Sequence, residues 1–269
     1  MDILLYKNKI KEIEENLPTA RQRFKVWNIW KKKIYSIRYR LVKDELDNIP
    51  CTKILDVGCG DGALLNYFCN LNTFDTYVGI DFSRKKIKTA KDNVMNSIFN
   101  VHFIVADLQY LPFREEVFHF VVLVDVLEHL IEPKKEIADL YRVTKRGGFI
   151  IILTPSAYRW RKNEKLLFNL KNISLSIGDR PPLKRDKTLQ IGAYEVPHRD
   201  FTRRELISIF RKRYRILKFY NCIFTPLHTL FRLIGINYIV DPYFIEVIFN
   251  KFHFPISLGD SWLLKAKKA

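Results

Sequence analysis

The chain has 269 residues, of which 48% are hydrophobic, and carries a formal net charge of +17. That length suits one large α/β domain with additions or two small domains, and the hydrophobic share excludes wholesale disorder. Four cysteines, Cys51, Cys59, Cys69 and Cys222, show no CxxC spacing, so neither a zinc site nor a disulfide framework follows and a reducing cytoplasm is expected.

The N-terminal stretch MDILLYKNKIKEIEENL lacks a continuous apolar run and a small-residue cleavage site, so no signal peptide is expected. No run of about 18 uncharged apolar residues occurs, and no membrane-spanning helix is expected. The positive charge points to an anionic partner: nucleic acid, an acidic lipid surface or a phosphorylated substrate. Solvated surface lysines are the plainer explanation. Residues 1–49 read as a basic helical extension, with Phe24, Trp27, Ile34, Ile37 and Leu41 at roughly helical spacing and Pro50 as its stop. This stripe either packs on the domain behind it or forms an arm that helps hold an anionic substrate.

Residues 53–153 alternate strands with helices. KILDV, YVGID, VHFIVAD, FHFVVLVDV and FIIILTP read as strands; ALLNYFC, SRKKIKTAKDNVM and PKKEIADLYRV read as helices. That alternation predicts a parallel sheet covered on both faces, with ligands at the carboxyl ends of its strands. Residues 156–198 are polar and basic and read as a loop or insertion over the site. Thr202 and Glu205 form a capping-box signature for a helix, YRILKFYNC follows as a strand, and SWLLKAKKA reads as a last strand whose charges suit a sheet edge. Between them, residues 223–258 are apolar and aromatic, with Leu227, Leu230, Phe231 and Ile234 on one helical face. They read either as accessory helices or as an apolar lid or membrane-surface patch, with Arg211, Lys212 and Arg213 nearby to favour anionic headgroups.

The chemistry concentrates after the first strand. Gly58, Gly60 and Gly62 make a GxGxG turn, where backbone without Cβ atoms can approach a ligand closely and a helix start offers free N–H groups. Asp56, Asp81, Asp107 and Asp125 close successive strands, so four acids converge on one crevice. An acid at the end of the second strand can hold two ribose hydroxyls.

In this combination of ILDVGCGDG with DVLEHL, the chain resembles the class I S-adenosylmethionine-dependent methyltransferases of the small-molecule, type 11-like group, over roughly residues 50–220 and again at the last strand. The resemblance implies an α/β, Rossmann-like, doubly wound seven-stranded sheet, mostly parallel with an antiparallel last strand. The helical N-terminal extension and the apolar insertion before the last strand would be additions to a methyltransferase domain at 50–269. It also implies S-adenosyl-L-methionine as cofactor. Asp56, Gly58, Gly60 and Gly62 would hold its amino acid portion and Asp81 its ribose. Phe82 would lie beside the adenine, Asp107 and Leu108 would meet the adenine edge, and Asp125 would lie near the methionine end.

Glu128, His129 and His198 are the candidate catalytic residues, as bases or orienters of the acceptor or as pocket walls. DVLEH also resembles the metal-binding segment of some quinone-biosynthesis O-methyltransferases and of small-RNA 3′-end 2′-O-methyltransferases. With Asp125 where those have Glu, no metal is assigned. The expected reaction is O- or C-methylation of a small or lipid-like acceptor, at an anionic membrane surface or in the cytoplasm. The alternatives are an RNA 2′-O-methyltransferase and a non-catalytic scaffold that keeps the fold. Oligomeric state is not legible.

Overall fold

The computed structural model describes residues 29–46, 52–94, 100–130, 132–157, 186–191, 194–223 and 260–269. Most of the apolar stretch at 223–258, the N-terminal residues before 29 and residues 158–185 lie outside the described residues, and with them the expectations placed there.

Alternating burial in the strands sorts the core into two faces. β1 (Lys53–Val57), β2 (Thr76–Asp81), β3 (Asn100–Val105), β4 (Phe118–Val124) and β5 (Thr144–Pro155) pair in parallel. On one face Leu55, Val57, Val121, Leu123, Ile150 and Ile152 pack together. They meet Ile137 and Leu140 of α4 (Pro133–Val143) and Leu206 and Phe210 of α5 (Arg203–Phe210). On the other face Ile54, Phe120, Val122 and Ile151 meet Leu65 and Phe68 of α2 (Ala63–Cys69) and Ile87 and Ala90 of α3 (Arg84–Val94). Successive residues of a strand point to opposite faces, which is why these runs are continuously apolar.

Two further strands, β8 (Tyr214–Cys222) and β9 (Ser261–Lys268), complete a seven-stranded sheet of order β3-β2-β1-β4-β5-β9-β8. β9 runs antiparallel to both its neighbours. The expected doubly wound sheet with an antiparallel last strand is therefore present.

The last strand differs from its reading in one respect. β9 is not an edge: it lies between β5 and β8, and Ser261 to Ala266 are buried. Its lysines are accommodated because each ammonium finds partners. Lys265 Nζ donates to the Glu45 backbone carbonyl and lies 3.5 Å from Glu45 Oε2. Lys268 Nζ donates to the carbonyls of Tyr141 and Thr144, both at 2.8 Å, and pairs with Glu116 at 3.4 Å. Paired ammoniums on long apolar stems can sit inside a sheet where unpaired ones cannot. The edge on this side of the sheet is β8, which presents Arg215 and Lys218 to solvent, the usual guard against edge pairing.

β5 begins at Thr144, ahead of the FIIILTP run, and Gly147 and Gly148 sit inside it opposite an irregularity in its pairing with β4. The reading of 156–198 as a loop or insertion omitted an antiparallel hairpin of β6 (Asp186–Ile191) and β7 (Tyr194–Arg199), whose strands carry no clean apolar alternation. The predicted capping box is present: Thr202 N–H donates to Glu205 Oε2 at 2.9 Å and Glu205 N–H to Thr202 Oγ1 at 3.3 Å.

From the N-terminal extension, α1 (Ile29–Asp44) packs on the sheet. Ile37 and Leu41 join Leu153, Leu263 and Cys222, while Val42 and Leu46 join the α2/α3 face. Replacing Leu41, 2% exposed, with Ala removes a packed side chain and leaves a cavity. We expect a loss of about 3 kcal/mol and a melting point lower by roughly 6–12 °C in calorimetry.

Candidate functional site

β1 has β2 on one side and β4 on the other, so the chain reverses its direction of winding across it. A parallel sheet opens a crevice at such a point, above the carboxyl ends of its strands. The glycine turn crosses this opening. Gly58, Gly60 and Gly62 all have positive φ, between 57° and 78°. At Gly58 a Cβ would come within 2.5 Å of Val126 Cγ2, so a side chain is excluded by contact as well as by conformation. At Gly60 a Cβ would meet nothing within 4 Å; there the backbone faces open space that a ligand can fill.

The turn is fastened to β2. Cys59 N–H donates to the Ile80 carbonyl at 2.9 Å, and Gly60 N–H to Asp81 Oδ2 at 3.0 Å. Asp81 Oδ1 accepts from Ser83 N–H at 2.9 Å. Burial pushes the Asp81 carboxyl up to about 6, against the pull of these two amide donors. Asp56 is also buried, and burial, with the charge of Asp81 added, raises its carboxyl well above the usual range. Its Oδ2 has no hydrogen-bond partner among the described residues. Buried acids of this kind need a hydroxyl, amide or cationic partner.

The opposite wall is β4. Asp125 follows it with φ 55°, a left-handed conformation seldom taken by a residue other than Gly. Its carboxylate is ion-paired with Arg38 of α1. Asp125 Oδ1 and Arg38 Nε are both buried without partners of their own. Arg38 was not singled out in the sequence, where nothing marks it among Arg40, Lys43 and the other cations of that helix. Tyr39 lies beside it, its phenol raised by burial first and then by Tyr35, Asp61 and Asp56.

Asp107 caps a 3-10 turn, accepting from Gln109 N–H at 2.9 Å, and the buried Leu108 begins that turn. Phe82, half-buried, follows Asp81. A second 3-10 turn, Leu127–His129, carries Glu128 and His129. Glu128 is buried and accepts from Thr154 Oγ1 at 3.0 Å. β7 brings His198 to the same place: its ring centroid is 5.4 Å from that of His129, and one polar atom from each of Glu128, His129 and His198 lies within 4.8 Å of the others. The structure thus assembles two groups: the turn with Asp56, Asp81 and Asp125, and the cluster of Glu128, His129 and His198. Thr154 and Arg38 belong to these groups and were missed in the sequence.

Residues 55–152, which span both walls of the crevice, match the family profile described as a methyltransferase domain. This segment resembles a type 11 methyltransferase domain. S-adenosylmethionine is the methyl donor of such a domain, and the crevice offers open space beside Gly60 and buried atoms of Asp56, Asp125 and Arg38 with no hydrogen-bond partner among the described residues.

The domain is 33% identical over 107 residues to a ubiquinone/menaquinone biosynthesis C-methyltransferase of Wigglesworthia glossinidia brevipalpis, covering 39% of this chain and 43% of that protein. It is 37% identical over 116 residues to a tRNA (carboxymethyluridine(34)-5-O)-methyltransferase of Arabidopsis thaliana, covering 42% of this chain and 26% of that protein. The chain therefore spans less than half the length of these curated relatives. In fold, it matches a SAM-dependent methyltransferase structure from Methanosarcina mazei, with 18% identity and a TM-score of 0.56 over 82% of this chain and 94% of that one.

The Asp81 carboxyl also couples the crevice to pH. Its folded value lies above the ordinary 3.8, so between 3.8 and about 6 the free folded protein holds a proton that the unfolded chain has lost. Asp81 thus lowers fold stability as pH rises through that window, and a donor that binds its ionised form expels that proton. We expect donor affinity at pH 5 to be about tenfold below that at pH 7, with proton release on binding seen by titration calorimetry in two buffers.

Proposed function

We propose that the protein transfers a methyl group from S-adenosylmethionine to an oxygen or carbon of a small or lipid-like acceptor by direct displacement. The observation that carries this is the crevice at the switch point, where the glycine turn and Asp81 are locked by the Gly60 amide. The donor brings a methyl group already activated on a positively charged sulfur. The residues' task is therefore alignment, which can supply about 7–11 kcal/mol of barrier lowering. Asp81 accepts the ribose hydroxyls, and Phe82, Asp107 and Leu108 line the base. Arg38 and Asp125 hold the two charges of the amino acid end between them, and Asp56 with the turn closes it. Glu128, His129 and His198 stand on the acceptor side as orienters or proton acceptors.

Among the relatives, a quinone-biosynthesis C-methyltransferase and a chloroplastic tocopherol O-methyltransferase carry names of apolar ring acceptors. Those names support the small-molecule reading. No helix among the described residues is long and apolar enough to cross a membrane, so a lipid-like acceptor would be met at a surface. An RNA acceptor is the second reading, favoured by the net charge of +17 and by the tRNA methyltransferase relative.

Asp81→Ala removes an ionised acceptor of two hydroxyl bonds and should weaken donor binding by at least about 100-fold while the fold persists by circular dichroism. Unchanged affinity would reject the site assignment. Co-binding with donor present separates the acceptors. Vesicles carrying a demethylated quinol should bind in a donor-dependent way if the acceptor is lipid-like. Donor-dependent binding of a short RNA, falling steeply with salt, would instead favour the second reading.

A further inference from the structure

His198 is 5% exposed and Asp200 is fully buried. Asp200 Oδ1 lies 3.1 Å from His198 Nε2. A carboxylate only accepts hydrogen bonds, so this contact puts the ring proton of a neutral imidazole on Nε2. The other nitrogen, Nδ1, is then a lone pair, and it is buried with no hydrogen-bond partner among the described residues. The segment around Asp200 is fixed on both sides. The Phe201 carbonyl accepts from Trp262 Nε1 and from Ala157 N–H, both at 3.0 Å, and Thr202 caps α5. The groups facing His198 are Glu128 and His129 from the turn after β4, with Asp200 from its own segment. Arg199 is turned to Glu205 at 3.4 Å, and Lys187 is the register partner across the hairpin.

We propose that Asp200 is a positioning residue: it holds His198 in the tautomer whose free Nδ1 lone pair takes the proton of an acceptor hydroxyl. This rests on the methyltransferase reading above and narrows the acceptor to an O–H compound such as a phenol or enol. The O–H electron pair becomes the new O–CH3 bond, the proton goes to Nδ1, and the methyl–sulfur pair stays on the departing thioether. The resulting imidazolium is stabilised by the Asp200 carboxylate, with Glu128 and the half-buried His129 in the same cluster. A cation bound in this cluster is the competing use of the same lone pair. Against it, Arg38 already neutralises the neighbouring acid, Asp125.

The test uses the full chain, labelled with nitrogen-15, and long-range proton–nitrogen correlation of the histidine rings at pH 7. Wild-type His198 should show one tautomer, protonated on Nε2. Asp200→Ala should release it to a mixture. With tritiated donor and 3,4-dihydroxybenzoate as the probe acceptor, Asp200→Ala should lower kcat on the order of 100-fold. It should leave donor affinity within about threefold of wild type and shift the pH–kcat profile.

A wild-type Nδ1–H tautomer overturns the proposal, and that reading needs neither a folded variant nor a working acceptor. An unchanged tautomer in Asp200→Ala, a kcat within twofold, or a stoichiometric divalent ion whose removal abolishes turnover also overturns it. Loss of donor binding by the wild-type protein would instead reject the methyltransferase reading, leaving the tautomer result to stand by itself.

Discussion

The site depends on one backbone-to-side-chain bond, from Gly60 N–H to Asp81 Oδ2. It joins the turn after β1 to the end of β2. Because the turn runs through three residues with positive φ, it can lie flat across the strand ends and leave its face open. Were the turn to lift away, Asp81 would lose one of its two amide donors. The open backbone at Gly60 and the Asp81 carboxylate would also separate. Cofactor geometry therefore follows from the parallel pairing of β1 with β2, which fixes Asp56 opposite Gly79 and places Asp81 two residues further along.

Charge is arranged around that bond in a way that only a bound ligand relieves. Asp56 and Asp81 are both buried; the charge of Asp81 adds to the rise at Asp56, and that of Asp61 to the rise at Asp81. Cys59, wedged beside them, is pushed up by burial first and then by Asp56, Asp81 and Asp61. Among the described residues, Arg38 is the cation ion-paired with Asp125 at this crevice. A donor bearing a positive sulfur suits such a field, because its charge favours the ionised form of nearby carboxyls. The free protein meanwhile carries buried acids that disfavour ionisation, and strain at Asp125 is tolerated within a packed frame.

The legible parts of this structure were those governed by local rules. KILDV followed by alternate glycines marks a strand, a tight turn and a ligand-facing backbone, and the capping box at Thr202 marks a helix start. Strand-end acids were readable because strand ends could be placed. What escaped was long-range pairing. Arg38 is distinguished from its neighbours only by the acid it meets across 87 residues. Thr154 matters because β5 sits beside the turn that bears Glu128. Asp200 in HRDFT looks like one more charge in a basic stretch until its burial is seen. The lysines of the last strand suggested an edge because their partners, Glu45, Glu116 and two backbone carbonyls, are far away in sequence.

The position of that last strand bears on how the protein is made. Protein chains emerge from the ribosome N-terminus first, so β5 and β8 are available long before β9. Yet β9 must lie between them, pairing antiparallel with both. Until it arrives, β8 has no sheet partner and the inner edge of β5 is open. The two lysine-anchored networks at Glu45 and Glu116 are also unmade. The sheet therefore closes only after residues 261–268 are released from the ribosome. A nascent chain stalled short of them exposes two strand edges able to pair with other chains.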